Sequence, residues 1–238
     1  LFDKKGFAYY QKLTEIVHSY DCRICAQLHQ SDSNMLAMLK YVPGVLTKKI
    51  SMQELRPLLN AEVAPYISKL SVKKIKNITD GFGKAAELAV KAGFDMVQVH
   101  GDRMCSFSSA VFNKRTDEYG GSAENRARFA VEAVRAIRSR LPKLPIDYKL
   151  AVRQEEPHYG NAGVLESELG IFVPMLVDAG VTSFHVALAN HSSLEDTIPP
   201  ANHPYFKGQG CFLKYCDEVR QFTDKPITGV GGLTDPAF

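Results

Sequence analysis

A histidine–arginine pair, two cations on one strand, a glutamine, a second histidine and a glycine pair are the residues of this chain with chemistry to offer. His100 and Arg103 follow the apolar run from Phe94 to Val99, where a strand gives way to a loop. In parallel α/β proteins, that end of a strand is where reacting groups gather. Arg103 carries a permanent charged donor that can polarise a carbonyl or hold a carboxylate or thioester oxygen. Lys149 and Arg153 lie in a second apolar run beginning at Ile146, where positions 147, 149, 151 and 153 share one strand face. His191 follows the run from Thr182 to Ala187, and histidine is the residue type whose ordinary titration range suits general acid work. His185, within that run, points the other way and reads as structural. Gln27 closes a short strand with an amide. Gly231 and Gly232 end the last strand, where backbone N–H groups can approach a phosphate closely.

The elements that position these groups alternate. Phe7, Tyr10, Leu13, Ile16 and Val17 space one face of an amphipathic helix over 7–19. Cys22 to Leu28 reads as a short buried strand. Residues 30–65 look irregular, punctuated by Pro43, Gly44, Pro57 and Pro65, and are too long for a plain connection; they read as a lid or substrate loop within an excursion over about 30–70. A helix is expected from Val72 to Ala92, ended by Gly93, and another after Ser122, whose hydroxyl caps a stripe of Phe129, Ala130, Val134, Ile137 and Leu141. Further strands are expected at 94–99, 146–152, 182–187 and 226–230, and helices at about 165–179 and 210–222. Five strands alternating with helices imply a parallel sheet covered by helices. With no glycine-rich dinucleotide motif after the first strand, a (β/α)8 TIM barrel is favoured over a Rossmann sheet. Such a barrel would be incomplete here, lacking its first two strands and its last, so residues 1–238 read as one partial barrel domain with open sheet edges.

Composition narrows the classes. The 238 residues carry a net charge of +3, too little to argue for nucleic acid, and the Val72–Lys76 cluster reads as a solvated helix face. No run approaches the roughly 20 apolar residues of a membrane helix, and no signal peptide is visible. The start at Leu1 rather than Met suggests a trimmed chain. Of the five cysteines, Cys22 and Cys25 are three apart, which on a strand puts their thiols on opposite faces and favours neither zinc nor a disulfide. A reduced, cytoplasmic protein is the natural reading.

Asn113 to Arg128 reads Asn-Lys-Arg-Thr-Asp-Glu-Tyr-Gly-Gly-Ser-Ala-Glu-Asn-Arg-Ala-Arg, and it follows a strand ending in His100-Gly101. This resembles the signature of the Old Yellow Enzyme family, the FMN-dependent NAD(P)H:flavin oxidoreductases and 2-enoate reductases. The resemblance covers nearly the whole chain and is thinnest over 30–70. It implies FMN, NAD(P)H as reductant and a small-molecule unsaturated carbonyl substrate, whose carbonyl accepts from His100 and from Arg103, the latter standing where relatives place a histidine or asparagine. It puts Gln27 at the flavin pyrimidine edge, Lys149 in place of the family's flavin-contacting arginine, and Gly231 and Gly232 at the phosphate. Arg153 either meets that phosphate or pairs with Glu155. Cys105 stands where the family has a proton-donating tyrosine, a poor replacement. His191 resembles a histidine of the 2,4-dienoyl-CoA reductase branch, and either it or a water takes the donor's place. Gln30 and Asp32-Ser33 depart from the family's histidine and Gly-Arg.

The implied activity is an ene-reductase, passing hydride from NAD(P)H through flavin to the C=C bond of an enoate, enone or enoyl thioester. Two rivals stand beside it. One is a degenerate or truncated barrel without flavin chemistry; the other is a Schiff-base lyase on the same fold, using Lys149. Any 4Fe-4S cluster would lie outside this chain, and a homo-oligomer stays open. The acidic and basic residues of 113–128 are expected to pin the loop to the following helix rather than to catalyse.

Overall fold

The computed structural model describes residues 4–30, 39–101, 107–153, 163–188, 203 and 206–237. In chain order these form α1 (Lys4–His18), β1 (Cys25–Leu28), α2 (Val42–Leu46), α3 (Met52–Ala61), α4 (Val63–Lys69), α5 (Val72–Lys91) and β2 (Met96–His100). There follow α6 (Ala123–Arg140), β3 (Ile146–Arg153), β4 (Val164–Leu165), a 3-10 turn (Glu166–Glu168), α7 (Leu169–Ala179), β5 (Ser183–Leu188), α8 (Leu213–Arg220) and β6 (Ile227–Gly229).

All strand pairs are parallel, in the order β1-β2-β3-β5-β6, with the two-residue β4 beside the end of β3. Strand after strand with a helix between neighbours is the repeat of a (β/α) barrel. Among the described residues β6 does not pair with β1, so the wall stays open. The strand assignments hold with small shifts, and β4 is an addition.

One sheet face is apolar and covered. Val97, Val99, Ile146, Tyr148, Leu150, Val152, Phe184 and Val186 are all buried against the helices. Each large side chain so placed contributes about 1.5–3 kcal/mol of burial. The covering helices start where their caps say. Ser71 accepts from Lys74 N at 3.2 Å and Ser122 from Asn125 N at 3.3 Å, satisfying donors the first helical turn leaves unpaired. Gly93 and Gly180 follow α5 and α7 at positive φ.

Two expectations are corrected. The stretch expected to be irregular carries three helices among its described residues, α2 through α4, joined by short turns. Pro43 and Pro65 sit in first helical turns, where a missing N–H costs nothing. Ser51 and Glu54 cap α3 reciprocally, Ser51 N donating to Glu54 at 2.8 Å and Glu54 N to Ser51 Oγ at 3.1 Å. The buried strand expected from Cys22 begins only at Cys25, and Cys22 and Cys25 are both exposed, free thiols. Cys25 and Gln27 lie on the face turned away from the helices, which the open wall leaves uncovered.

Candidate active site

Strand register sorts the uncovered face into two rows. Gln27, Gln98, Asp147 and Ser183 are partners across β1, β2, β3 and β5. Two residues nearer the strands' C-terminal ends, His100, Lys149, His185 and Thr228 are partners across β2, β3, β5 and β6. In each strand the polar residues alternate with the buried apolar ones, which is why both rows face the same way.

The lower row is hydrogen-bonded throughout. Gln27 Nε2 donates to Gln98 Oε1; Gln98 Nε2 donates to Asp147 Oδ2 at 2.7 Å; Ser183 Oγ donates to Asp147 Oδ1 at 2.6 Å. Asp147 is 6% exposed. Gln98 Nε2 also lies 3.2 Å from His185 Nδ1, which ties the rows together. Burial, then the nearby Lys149 charge, hold His185 below its ordinary pKa against the opposing pull of Asp147. The Cys25 residue is exposed, yet neighbouring protein crowds and partly desolvates its thiol. That crowding and Asp147 raise its pKa to about 11, so it stays a neutral thiol.

His100 ends β2, and Gly101 after it is forced by space: a Cβ there would meet the Lys149 carbonyl at 2.4 Å. The chain therefore turns over β3 directly beside Lys149. Gln27 also borders a cleft of about 460 Å³ shared by α1, β1 and α5, where Tyr10, Asn77 and Phe82 form part of the wall. After β6, Gly231 and Gly232 have φ of +130° and +67°. The Gly231 carbonyl accepts from Gly210 N at 2.7 Å, and a Cβ on Gly231 would meet Phe212 N at 2.8 Å. The backbone there is drawn tight against the entry to α8.

Of the residues singled out from the sequence, His100 and Lys149 thus stand side by side, with Gln27 in the row below and Gly231 and Gly232 at the end of β6. The Arg153 backbone ends β3 and pairs with Leu165. Arg103, Cys105 and His191 lie outside the described residues. His185 shares the face and register of Lys149, while its expected orientation relative to His191 lies outside the described residues. Gln98, Asp147 and Ser183 were missed, although polar residues alternating through strands with an otherwise apolar face were a readable signal.

The 113–128 segment is scaffold. Buried Asn113 donates through Nδ2 to the carbonyls of Phe107 and Tyr119, both at 2.7 Å, and its Oδ1 accepts from Arg115 N at 3.1 Å. Arg115 pairs with Asp117 and donates to the Ile67 and Leu70 carbonyls, each at 2.7 Å. Arg126 binds the Ser108 carbonyl at 2.9 Å and pairs with Glu168. Tyr119, wholly buried, donates to Glu132. These contacts hold the loop after β2 against α6, as expected.

The sequence profile of the NADH:flavin oxidoreductase / NADH oxidase family matches residues 1–238. The chain belongs to that family. As a flavin oxidoreductase family member it is similar to the bilirubin reductase of Clostridium symbiosum (strain WAL-14163), 59% identical over all of this chain and 64% of that protein. It is 29% identical to the cinnamate reductase of Clostridium sporogenes, over 94% of this chain and 35% of that protein. Histamine dehydrogenase from Rhizobium sp. 4-9 superposes with a TM-score of 0.59 at 31% identity, covering 71% of this chain and 24% of that one. The flavin oxidoreductase chain therefore spans between about a third and two thirds of the length of these curated relatives. Membership implies FMN, with NADH or NADPH as reductant, and an oxidoreductase on a TIM barrel. Among the described residues no helix is long and apolar enough to cross a membrane, and no group of three metal-ligating side chains occurs.

Proposed function

We propose that the protein containing this chain is an ene-reductase, delivering hydride from NAD(P)H to a C=C bond conjugated with a carbonyl. The observation that carries this reading is the row His100–Lys149–His185 on the uncovered face, above the amide–carboxylate row that begins at Gln27. The residues present fit FMN. Gln27 offers an amide for a pyrimidine edge, Lys149 a cation for the electron-rich side of the ring, and Gly231 and Gly232 a backbone free of Cβ atoms for a phosphate. Arg153 joins them at the phosphate on the strength of the resemblance.

When bound, FMN supplies the two-electron carrier between reductant and substrate. The chain's own residues do the rest. His100 donates to the substrate carbonyl, and Arg103, by resemblance, adds a charged donor on the same oxygen; together they make the β-carbon electrophilic. His191, also by resemblance, holds the proton destined for the α-carbon. The Lys149 ammonium would stabilise negative charge on a reduced ring held against this face. Bilirubin and cinnamate, each carrying C=C bonds conjugated with a carbonyl group, are the substrates to try first, given the two reductases this chain resembles.

The test is an absorbance spectrum of the full-length protein before and after anaerobic NADH or NADPH, followed by each substrate. Flavin bands that bleach with reductant and return with an unsaturated carbonyl support the proposal. A colourless protein that takes up no added FMN would leave the degenerate-barrel reading instead.

A further inference from the structure

We propose that Asp147 is a positioning residue: through Gln98 it sets which end of the Gln27 amide faces the cofactor edge and which nitrogen of His185 carries that ring's proton. The inference rests on the reading that Gln27 meets the flavin pyrimidine edge.

The argument is one of donor and acceptor polarity. An ionised carboxylate only accepts. Asp147 is nearly enclosed, its Oδ1 taken by the Ser183 hydroxyl at 2.6 Å and its Oδ2 by Gln98 at 2.7 Å. The end of the Gln98 amide that faces Oδ2 must therefore be its NH2 group. An amide's orientation is otherwise ambiguous and is fixed by its partners; here the carboxylate fixes it.

Two consequences run outward from that one choice. The same NH2 group lies 3.2 Å from His185 Nδ1, so its second hydrogen points at a ring nitrogen that must offer a lone pair. A neutral imidazole has one such nitrogen, which leaves the proton on Nε2. Burial and the Lys149 charge favour the neutral ring. On the other side, Gln98 Oε1 faces β1 and only accepts, so Gln27 must present Nε2 to it. Gln27 then keeps Oε1 and its second N–H for a ligand. An acceptor beside a donor complements an N–H flanked by a carbonyl, which is the N3 edge of a flavin. Reversing Gln98 would spend the Gln27 oxygen and turn its NH2 group toward that ring N–H.

In Asp147→Asn the shape is kept but the polarity is released, because an amide can offer Gln98 either a donor or an acceptor. The probes are FMN and 3-methyl-FMN, which lacks the N3 hydrogen, titrated into the full-length protein. The wild type is expected to bind FMN about tenfold more tightly, the worth of one hydrogen bond to the Gln27 amide. This preference should fall about tenfold in Asp147→Asn and in Gln98→Met, and persist in Ser183→Ala. A merely structural role for Asp147 would weaken both ligands alike and leave the preference intact, which would overturn the proposal. A second readout needs no cofactor: imidazole 15N shifts, with His185 assigned from a His185→Gln spectrum, should show the proton on Nε2 in the wild type. A proton on Nδ1 refutes the polarity argument outright. Failure of the wild type to bind FMN would instead sink the functional reading, with the nitrogen shifts still deciding the polarity.

Discussion

Replacing Asn113 by aspartate exchanges one group on a side chain that is 4% exposed. In the native protein Nδ2 donates to the Phe107 and Tyr119 carbonyls at 2.7 Å. In Asn113→Asp an oxygen takes that place and faces two carbonyl oxygens. Each lost hydrogen bond costs about 1 kcal/mol, and each stranded buried acceptor about 1–3 kcal/mol. The lower end of these terms totals roughly 4 kcal/mol at neutral pH, within the range for an uncompensated buried charge. For a domain of this length, 1 kcal/mol moves the melting temperature by about 2–4 °C, so a fall of roughly 8–16 °C is expected in the barrel's calorimetric transition. The sign of its pH dependence is also fixed. Facing carbonyls, the folded carboxyl holds its proton above the unfolded value of about 3.9. The folded state then binds more protons than the unfolded one, so the penalty is least near pH 4 and grows as pH rises toward the folded pKa. Scans at pH 5 and pH 8 on both proteins measure this. A drop under about 3 °C at pH 8, or a penalty no smaller at pH 5, would refute the assignment of Asn113 as the loop's central tie.

Three further outcomes are expected. Gly101→Ala should cost about 2–4 kcal/mol, because its methyl meets the Lys149 carbonyl at 2.4 Å and no rotamer can relieve it; thermal unfolding and FMN retention should both suffer. His185 is held below its ordinary pKa, so the unfolded state binds more protons and stability is lost as pH falls below about 6.5. His185→Gln should therefore gain on the wild type between pH 7.5 and pH 5.5 in melting experiments. Asp95, held at about 2 first by the Ile24 N–H at 2.8 Å and then by His18 and Arg23, contributes stability above about pH 4 that is lost as pH falls through 2. Asp95→Asn should cost about 1 kcal/mol at pH 7, discounted for its position near solvent, and much less in acid denaturation at pH 2.

The parts of the fold legible beforehand were those where one physical rule acts alone. Ser122 announced a helix start, Gly93 announced a helix end, and the apolar runs at 94–99 and 146–152 announced strands. The excursion was misread because prolines weigh as breakers in a sequence, and only their position within a turn shows that Pro43 and Pro65 are harmless. The Ser51–Glu54 spacing was a capping signal that outweighs them. At the candidate site, the placing of His100 and Lys149 at a strand end and on a strand was legible because each interrupts an apolar run with a polar group. The alternation that puts Gln98, Asp147 and His185 on one face was readable strand by strand, but which residue of β2 faces which of β3 and β5 is set by long-range pairing that no local pattern encodes.

Arg115 closes α4 from a distance. The Ile67 and Leu70 carbonyls at that helix's end are met by a guanidinium 48 and 45 residues further along the chain, rather than by a local glycine turn. The last carbonyls of α4 therefore gain these partners only once the segment after β2 has arrived, so the end of the helical excursion is secured by a contact between distant parts of the chain. Arg115→Ala should therefore raise protease cutting at the end of α4 in the native protein, while cutting within the sheet stays as it is.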